Sequence, residues 1–237
     1  MRWRLVFLLG LLLPELSMDP FRGDAGMSWI HPLGTDALGR DALLRLLHAG
    51  VRSLGFASAA AILALALALA ASLGKPLVPG ARSALRAVPP LLFLLPLAAI
   101  LGGLGWLPLG ILLAVLLALQ LEPPLRARLE PFTKGPAWAM NRILGGGRLH
   151  QMRVWVPWAM GQAEALLPSA WLGALWGEVT LRLLGLGPGP QHDSLGLLLN
   201  QELPRLSTDG TPLGWVSLVL VLALAMVSAS KAKSEAT

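Results

Sequence analysis

Cysteine and tyrosine are both absent from the 237 residues. With no thiol, the chain has no disulfide framework, no thiolate nucleophile and no cysteine metal site in any compartment. Charge is scarce: 14% of residues are charged and 55% hydrophobic, against roughly 25% and 45 to 50% in an ordinary soluble domain. A mean hydropathy of +0.65 completes the composition of a membrane protein. The histidines (31, 48, 150 and 192) lack His-x-x-x-His spacing and a helical Glu partner, which excludes the common zinc arrangement. There is no Gly-x-Ser-x-Gly, and His192-Asp193-Ser194 are three neighbours in a Gly/Pro-rich loop that cannot readily converge into a triad. No Gly-x-x-x-x-Gly-Lys-[Ser/Thr] loop is present, so ATP is not hydrolysed here. The net charge of +6 is scattered between apolar runs rather than gathered on one face, which argues against nucleic acid.

What is present is a series of apolar runs. A span needs about 20 mostly apolar residues. Ser53 to Gly74 and Thr211 to Ser230 qualify, while Ala87 to Leu121 is 35 charge-free residues interrupted at Gly102-Gly103-Leu104-Gly105-Trp106-Leu107-Pro108. Splitting that run at the glycine-rich turn predicts two helices of about 15 residues each, with a re-entrant hairpin as the other reading. Leu5 to Leu13, after Arg2 and Arg4, reads as an uncleaved anchor, a signal peptide being the alternative. Val154 to Trp176 carries Glu164 and should therefore sit inside a bundle.

The expected fold is thus all-α: about six transmembrane helices, or five, with an interfacial amphipathic helix. Its divisions are an anchor at 1–18, an extracytoplasmic segment at 19–52, a membrane domain at 53–230 and a cytoplasmic tail at 231–237. With the N-terminus inside, 13 of the 19 Lys and Arg fall on inner segments, as the positive-inside rule requires. Trp3, Trp29, Trp106, Trp155, Trp158 and Trp215 fall near span ends, an aromatic belt.

Two polar stretches stand out. In His31-Pro32-Leu33-Gly34-Thr35-Asp36-Ala37-Leu38-Gly39-Arg40-Asp41, Pro32 and Gly34 set a turn and Asp36 is placed to cap a following helix. Asp36 with Arg40, and Asp41 with Arg45, fall at i, i+4, while Leu43, Leu46 and Leu47 share the other face. This predicts an interfacial helix that dives into the membrane at Ser53. The second stretch runs from Glu178 through Leu184-Gly185-Leu186-Gly187-Pro188-Gly189-Pro190 to Ser194-Leu-Gly-Leu-Leu-Leu199. On one continuous helix, Glu164 and Glu178 would lie about 21 Å apart on nearly one face, with Pro168, Trp171 and Leu175. That face could line a pathway for a cationic group; otherwise Glu164 pairs within the bundle and Glu178 caps the Leu-Gly-Leu-Gly turn.

In this order the two stretches resemble the signatures of the membrane-spanning permease subunits of dipeptide/oligopeptide/nickel-type ABC importers. The resemblance covers about His31 to Leu199. It implies an outer motif at His31, Pro32, Gly34, Thr35, Asp36, Gly39, Arg40 and Asp41, and pathway or outer-gate residues at Glu178, Gly185, Gly187 and Pro190. It also implies an ATPase-docking helix in the basic inner loop Glu122 to Arg153. There the family's Glu-Ala-Ala falls on Ala139, Met140 and Asn141, beside Arg142, its Gly on Gly145 and its Leu-Pro on Val156-Pro157. The acidic residue is missing and the spacing is one residue short, so docking differs in detail or this subunit contributes less of it.

By that resemblance the chain binds no cofactor and catalyses nothing itself. Two cytoplasmic ATPase subunits use ATP and magnesium, a second homologous permease subunit completes a heterodimer, and an extracytoplasmic solute-binding protein delivers the solute. The location is a bacterial or archaeal inner membrane. The contrasting class is a membrane scaffold or small intramembrane enzyme, which would need no basic docking loop or would place a His, Ser or Asp pair within its spans.

Overall fold

The computed structural model describes residues 13–14, 19, 23–73, 90–100, 105–143, 148–187, 189, 193–206, 213–220, 222–223 and 226. Among them are seven helices and no strand: α1 (Ala42–Leu73), α2 (Pro90–Ile100), α3 (Trp106–Thr133), α4 (Pro136–Ile143), α5 (Arg148–Glu164), α6 (Leu167–Leu183) and α7 (Leu195–Leu206). Residues 213–220 are helical as well. Among the described residues two helices, α1 and α3, are long and apolar enough to cross a membrane, fewer than the five or six expected. The expected first span lies outside the described residues except for Leu13, and the last is described only in part.

The core combines leucines such as Leu94, Leu109, Leu113 and Leu125 with a row of small residues. Ala57, Ala60, Ala61, Ala64 and Ala68 of α1 are buried, and α1 packs chiefly against α3 and α6. With no hydrophobic effect between helices in lipid, close approach and dispersion must hold them, and small side chains permit both. A Cβ on Gly177 of α6 would stand 2.7 Å from Leu113 Cδ1 of α3, and one on Gly173 would stand 2.8 Å from Leu117 Cδ2. Meanwhile Ile62, Ile111, Val115 and Val219 face outward. Large apolar side chains turned outward suit a protein whose surroundings are hydrocarbon.

Four expectations change. First, the amphipathic segment before Ser53 is not a separate interfacial helix but the opening turns of α1. The helix starts at Ala42, capped by Asp41, whose Oδ1 accepts the Leu44 N–H at 2.8 Å. Asp36 holds a turn instead of the helix end. Second, a helix does begin at the glycine-rich turn, with Gly105 extended (ψ 166°) ahead of Trp106, but it does not stop at about 15 residues: α3 continues through Pro123, Pro124 and Pro131 to Thr133. Burial of Leu121, Leu125 and Leu129 outweighs prolines that each cost about 3 kcal/mol in an isolated helix.

Third, the supposed inner loop from Glu122 to Arg153 is therefore largely helical, formed by the end of α3, all of α4 and the start of α5. Fourth, Val154 to Trp176 is not one helix. Pro168 has no N–H for residue 164, and the Leu166 N–H donates to Ala163 O at 2.9 Å, tightening the turn that separates α5 from α6.

Candidate functional site

The 31–41 stretch folds on itself. Gly34 (φ +76°) donates its N–H to His31 O at 2.9 Å, and Gly39 (φ +70°) donates to Asp36 O at 2.9 Å. Both sit in the left-handed region, where a Cβ is strained. A Cβ on Gly39 would also fall 1.8 Å from Asp19 O. Thr35 bridges Asp41 as an isolated β-pair, and its Oγ1 accepts the Ala25 N–H at 2.9 Å. His31 Nδ1 donates to Asp41 Oδ2 at 2.7 Å.

Asp36 is the hub. Its Oδ1 accepts the N–H groups of Leu38 (3.0 Å) and Arg40 (2.9 Å), and its Oδ2 accepts Arg40 Nε at 2.7 Å and Arg45 Nη1 at 3.1 Å. The predicted Asp36–Arg40 pair thus forms, whereas Asp41 turns to His31 and Arg45 turns away from it. Arg45 is 2% exposed, and its Nε and Nη2 donate to Asp193 Oδ1 at 3.0 and 2.9 Å. Nη2 also donates to Gln201 Oε1. One guanidinium therefore ties the first stretch to the second across most of the sequence.

A second tie lies one level deeper. Ser53 Oγ accepts the Leu195 N–H at the start of α7 (3.0 Å) and donates to Glu178 Oε2 (3.0 Å). The Ser194 hydroxyl also faces that carboxylate and accepts the Leu197 N–H at 3.3 Å, capping α7. Glu178 is 0% exposed, and Arg182, one turn on, lies with Nε 3.8 Å from Glu178 Oε1. The Arg182 guanidinium sits over the Trp106 ring, 4.8 Å from its centroid, a cation–π contact.

The Leu-Gly-Leu-Gly string has a geometric explanation. Gly185 (φ +73°) donates to Arg182 O at 3.0 Å and Leu186 donates to Leu181 O at 2.9 Å, the paired bonds of a Schellman stop. Gly187 leaves room for Arg182, since a Cβ there would stand 2.3 Å from Arg182 Cδ. Gly196 in turn allows α7 to touch α6 at Val179 O. The result is a buried, charge-bearing clamp joining the N-terminal end of α1 to the end of α6 and the start of α7. Among the described residues no cluster of three or more His, Asp or Glu side chains could hold a metal ion.

The other expected residues lie elsewhere. Ala139 and Met140 are exposed on α4, which also carries Asn141 and Arg142; Pro157 is exposed on α5. Gly145 and Pro190 are outside the described residues. Glu164 is exposed at the end of α5 and shares no helix with Glu178, so the proposed carboxylate stripe does not form. Arg182 and Gln201 belong to the clamp without having stood out in the sequence, while Arg45 reads there only as the partner of Asp41, Ser53 only as the start of a span and Asp193 only as part of a discounted triad. Arg45 carried one signal, a charge set among Leu43, Leu44, Leu46 and Leu47.

No family model matches the chain. It is similar to a Brucella suis biovar 1 protein provisionally named a peptide permease protein, 29% identical over 210 residues that cover 84% of this chain and 68% of the relative. Proteins of the same provisional name from Brucella ovis and Brucella abortus are 28% identical over the same shares.

Proposed function

We propose that this chain is the multi-pass permease subunit of an ATP-driven importer of the ABC type, forming half of a pathway for dipeptides, oligopeptides or a related small solute through an inner membrane. The observation that carries the reading is the convergence of the two resemblance-bearing stretches on one buried clamp, through Arg45–Asp193 and Ser53–Glu178. The similarity to proteins named as peptide permeases supports it, as do two helices fit to cross a bilayer.

In this reading the clamp makes the outer ends of α1, α6 and α7 one rigid block. Alternating access needs such blocks, because packed elements pivot between discrete arrangements instead of deforming. At the other end, α4 presents Met140 and Ile143 outward, 58% and 79% exposed, an i, i+3 apolar pair for the groove of an ATPase subunit. ATP and magnesium act on those subunits. A second permease chain completes the pathway, and an extracytoplasmic binding protein supplies the solute.

The test is uptake of a radiolabelled dipeptide by cells with and without an intact copy of the gene. Loss of uptake that returns on complementation is expected. Uptake that is unchanged for dipeptides, longer peptides and chelated nickel alike rules the reading out.

A further inference from the structure

The turn from Ala25 to Ile30, just ahead of the 31–41 stretch, turns three large apolar side chains outward. Met27 is 67%, Trp29 101% and Ile30 77% exposed. Three such side chains on one short turn make an apolar patch, and a patch of that kind marks an interaction surface.

The turn is built before any partner arrives. Ser28 donates its N–H to His31 O at 2.9 Å, and its Oγ accepts the His31 N–H at 3.0 Å. Thr35 donates its N–H to Ala25 O at 3.0 Å, closing the base. Residues 25–30 carry no charge, and the charged groups on either flank are engaged, Asp24 with Arg205 at 3.3 Å and His31 with Asp41 at 2.7 Å. An apolar tip that satisfies its own backbone enters a low-dielectric boundary at little cost.

The terminal apolar run tells what the tip meets. Thr211 to Ser230 spans about 30 Å as a helix, the thickness of the hydrocarbon layer, so Leu213 marks one edge of that layer. Met27 and Leu213 line the same cavity of about 500 Å³ beside the clamp. The turn therefore stands at that edge. From the same level Trp215, Val216 and Val219 face outward along the helix, the side that lipid covers.

We propose that Met27, Trp29 and Ile30 form an anchoring wedge that enters the headgroup region of the bilayer and holds the 31–41 stretch at the interface. The partner is a lipid surface. An indole ring prefers headgroup depth, and water still reaches that depth from the side of the clamp. Trp29 is then not a belt ring at a span end but the centre of a wedge on a turn that crosses nothing. The proposal rests on the membrane-spanning part of the reading above, and on none of its solute or subunits.

The absence of cysteine allows one label at a time. Met27→Cys, Ile30→Cys and, as a depth standard, Val219→Cys are each coupled to a nitrobenzoxadiazole dye in the full chain, purified in mild detergent with whatever subunits accompany it. Each is reconstituted into vesicles of phosphatidylethanolamine and phosphatidylglycerol that carry a nitroxide at the headgroup or deep in the acyl chain. The labels at 27 and 30 should lose emission mainly to the headgroup nitroxide, and the label at 219 mainly to the deep one. Trp29→Ser should draw the label at 30 into water, read as a shift to longer wavelength and stronger quenching by aqueous iodide. Labels at 27 and 30 that iodide quenches as it does the free dye, with no loss to either nitroxide, overturn the proposal: the turn then stands in water, open to a protein. Unchanged emission in Trp29→Ser overturns it as well. If the label at 219 meets the deep nitroxide and those at 27 and 30 meet neither, the anchor fails and the spanning reading stands. If the label at 219 meets no nitroxide, the spanning reading fails, and quenching at 27 and 30 alone decides the anchor.

Discussion

Arg45 and Asp193, 148 positions apart in sequence, meet through two hydrogen bonds of 2.9 and 3.0 Å in a buried setting, with Asp36 on the opposite side of the same guanidinium. Arg45→Ala takes from the buried Asp193 carboxylate its bidentate guanidinium and leaves Asp36 with Arg40 alone. It should cost about 3 to 5 kcal/mol, read as a fall in the thermal unfolding midpoint in detergent. Combining Arg45→Met with Asp193→Leu should recover part of that loss. Strictly additive effects would show that the two side chains do not interact.

Ser53 serves two partners with one hydroxyl, accepting from Leu195 and donating to Glu178. Ser53→Ala strands a buried N–H and a buried carboxylate oxygen for the removal of one atom. A loss of about 1 to 3 kcal/mol is expected, with Ser53→Thr much closer to wild type. An alanine variant as stable as wild type would contradict the geometry.

How far this was legible in the sequence depends on the range of each interaction. The turns at Gly34 and at Leu184-Gly185-Leu186-Gly187 act locally, so their sequence marked them, whereas Gly196 between two leucines lies inside α7. The Asp36–Arg40 pair was equally readable, because i, i+4 spacing is a local rule. Arg45 was misassigned to Asp41 for the same reason: the local rule offered a partner, whereas the fold supplied a better one from beyond α6. Pro123, Pro124 and Pro131 misled in the other direction. Their intrinsic cost argues for a loop, and only packing of α3 against α1 overrides it.

Glycine substitutions separate close approach from mere flexibility. Gly187→Ala drives a methyl into the buried Arg182 side chain and should cost about 1 to 3 kcal/mol. Gly161→Ala, on α5 with nothing within 4 Å of the new methyl, should be neutral or stabilising by up to about 1 kcal/mol. Matched unfolding curves for the two variants check both statements together.

The absence of cysteine makes topology directly measurable. Trp29→Cys precedes α1, and Lys134→Cys follows α3. The proposed multi-pass reading requires three crossings between these positions, so a membrane-impermeant maleimide should label position 29 from outside intact cells and position 134 only after the membrane is opened. Labelling of both from one side would remove the proposed orientation of the clamp.

The most direct measurement is mass spectrometry of what accompanies a tagged copy of the chain, purified in mild detergent from its native membrane. A permease subunit should bring with it an ATPase carrying a phosphate-binding loop and a second multi-span protein. Recovery of the chain alone, or only with further copies of itself, would contradict the importer.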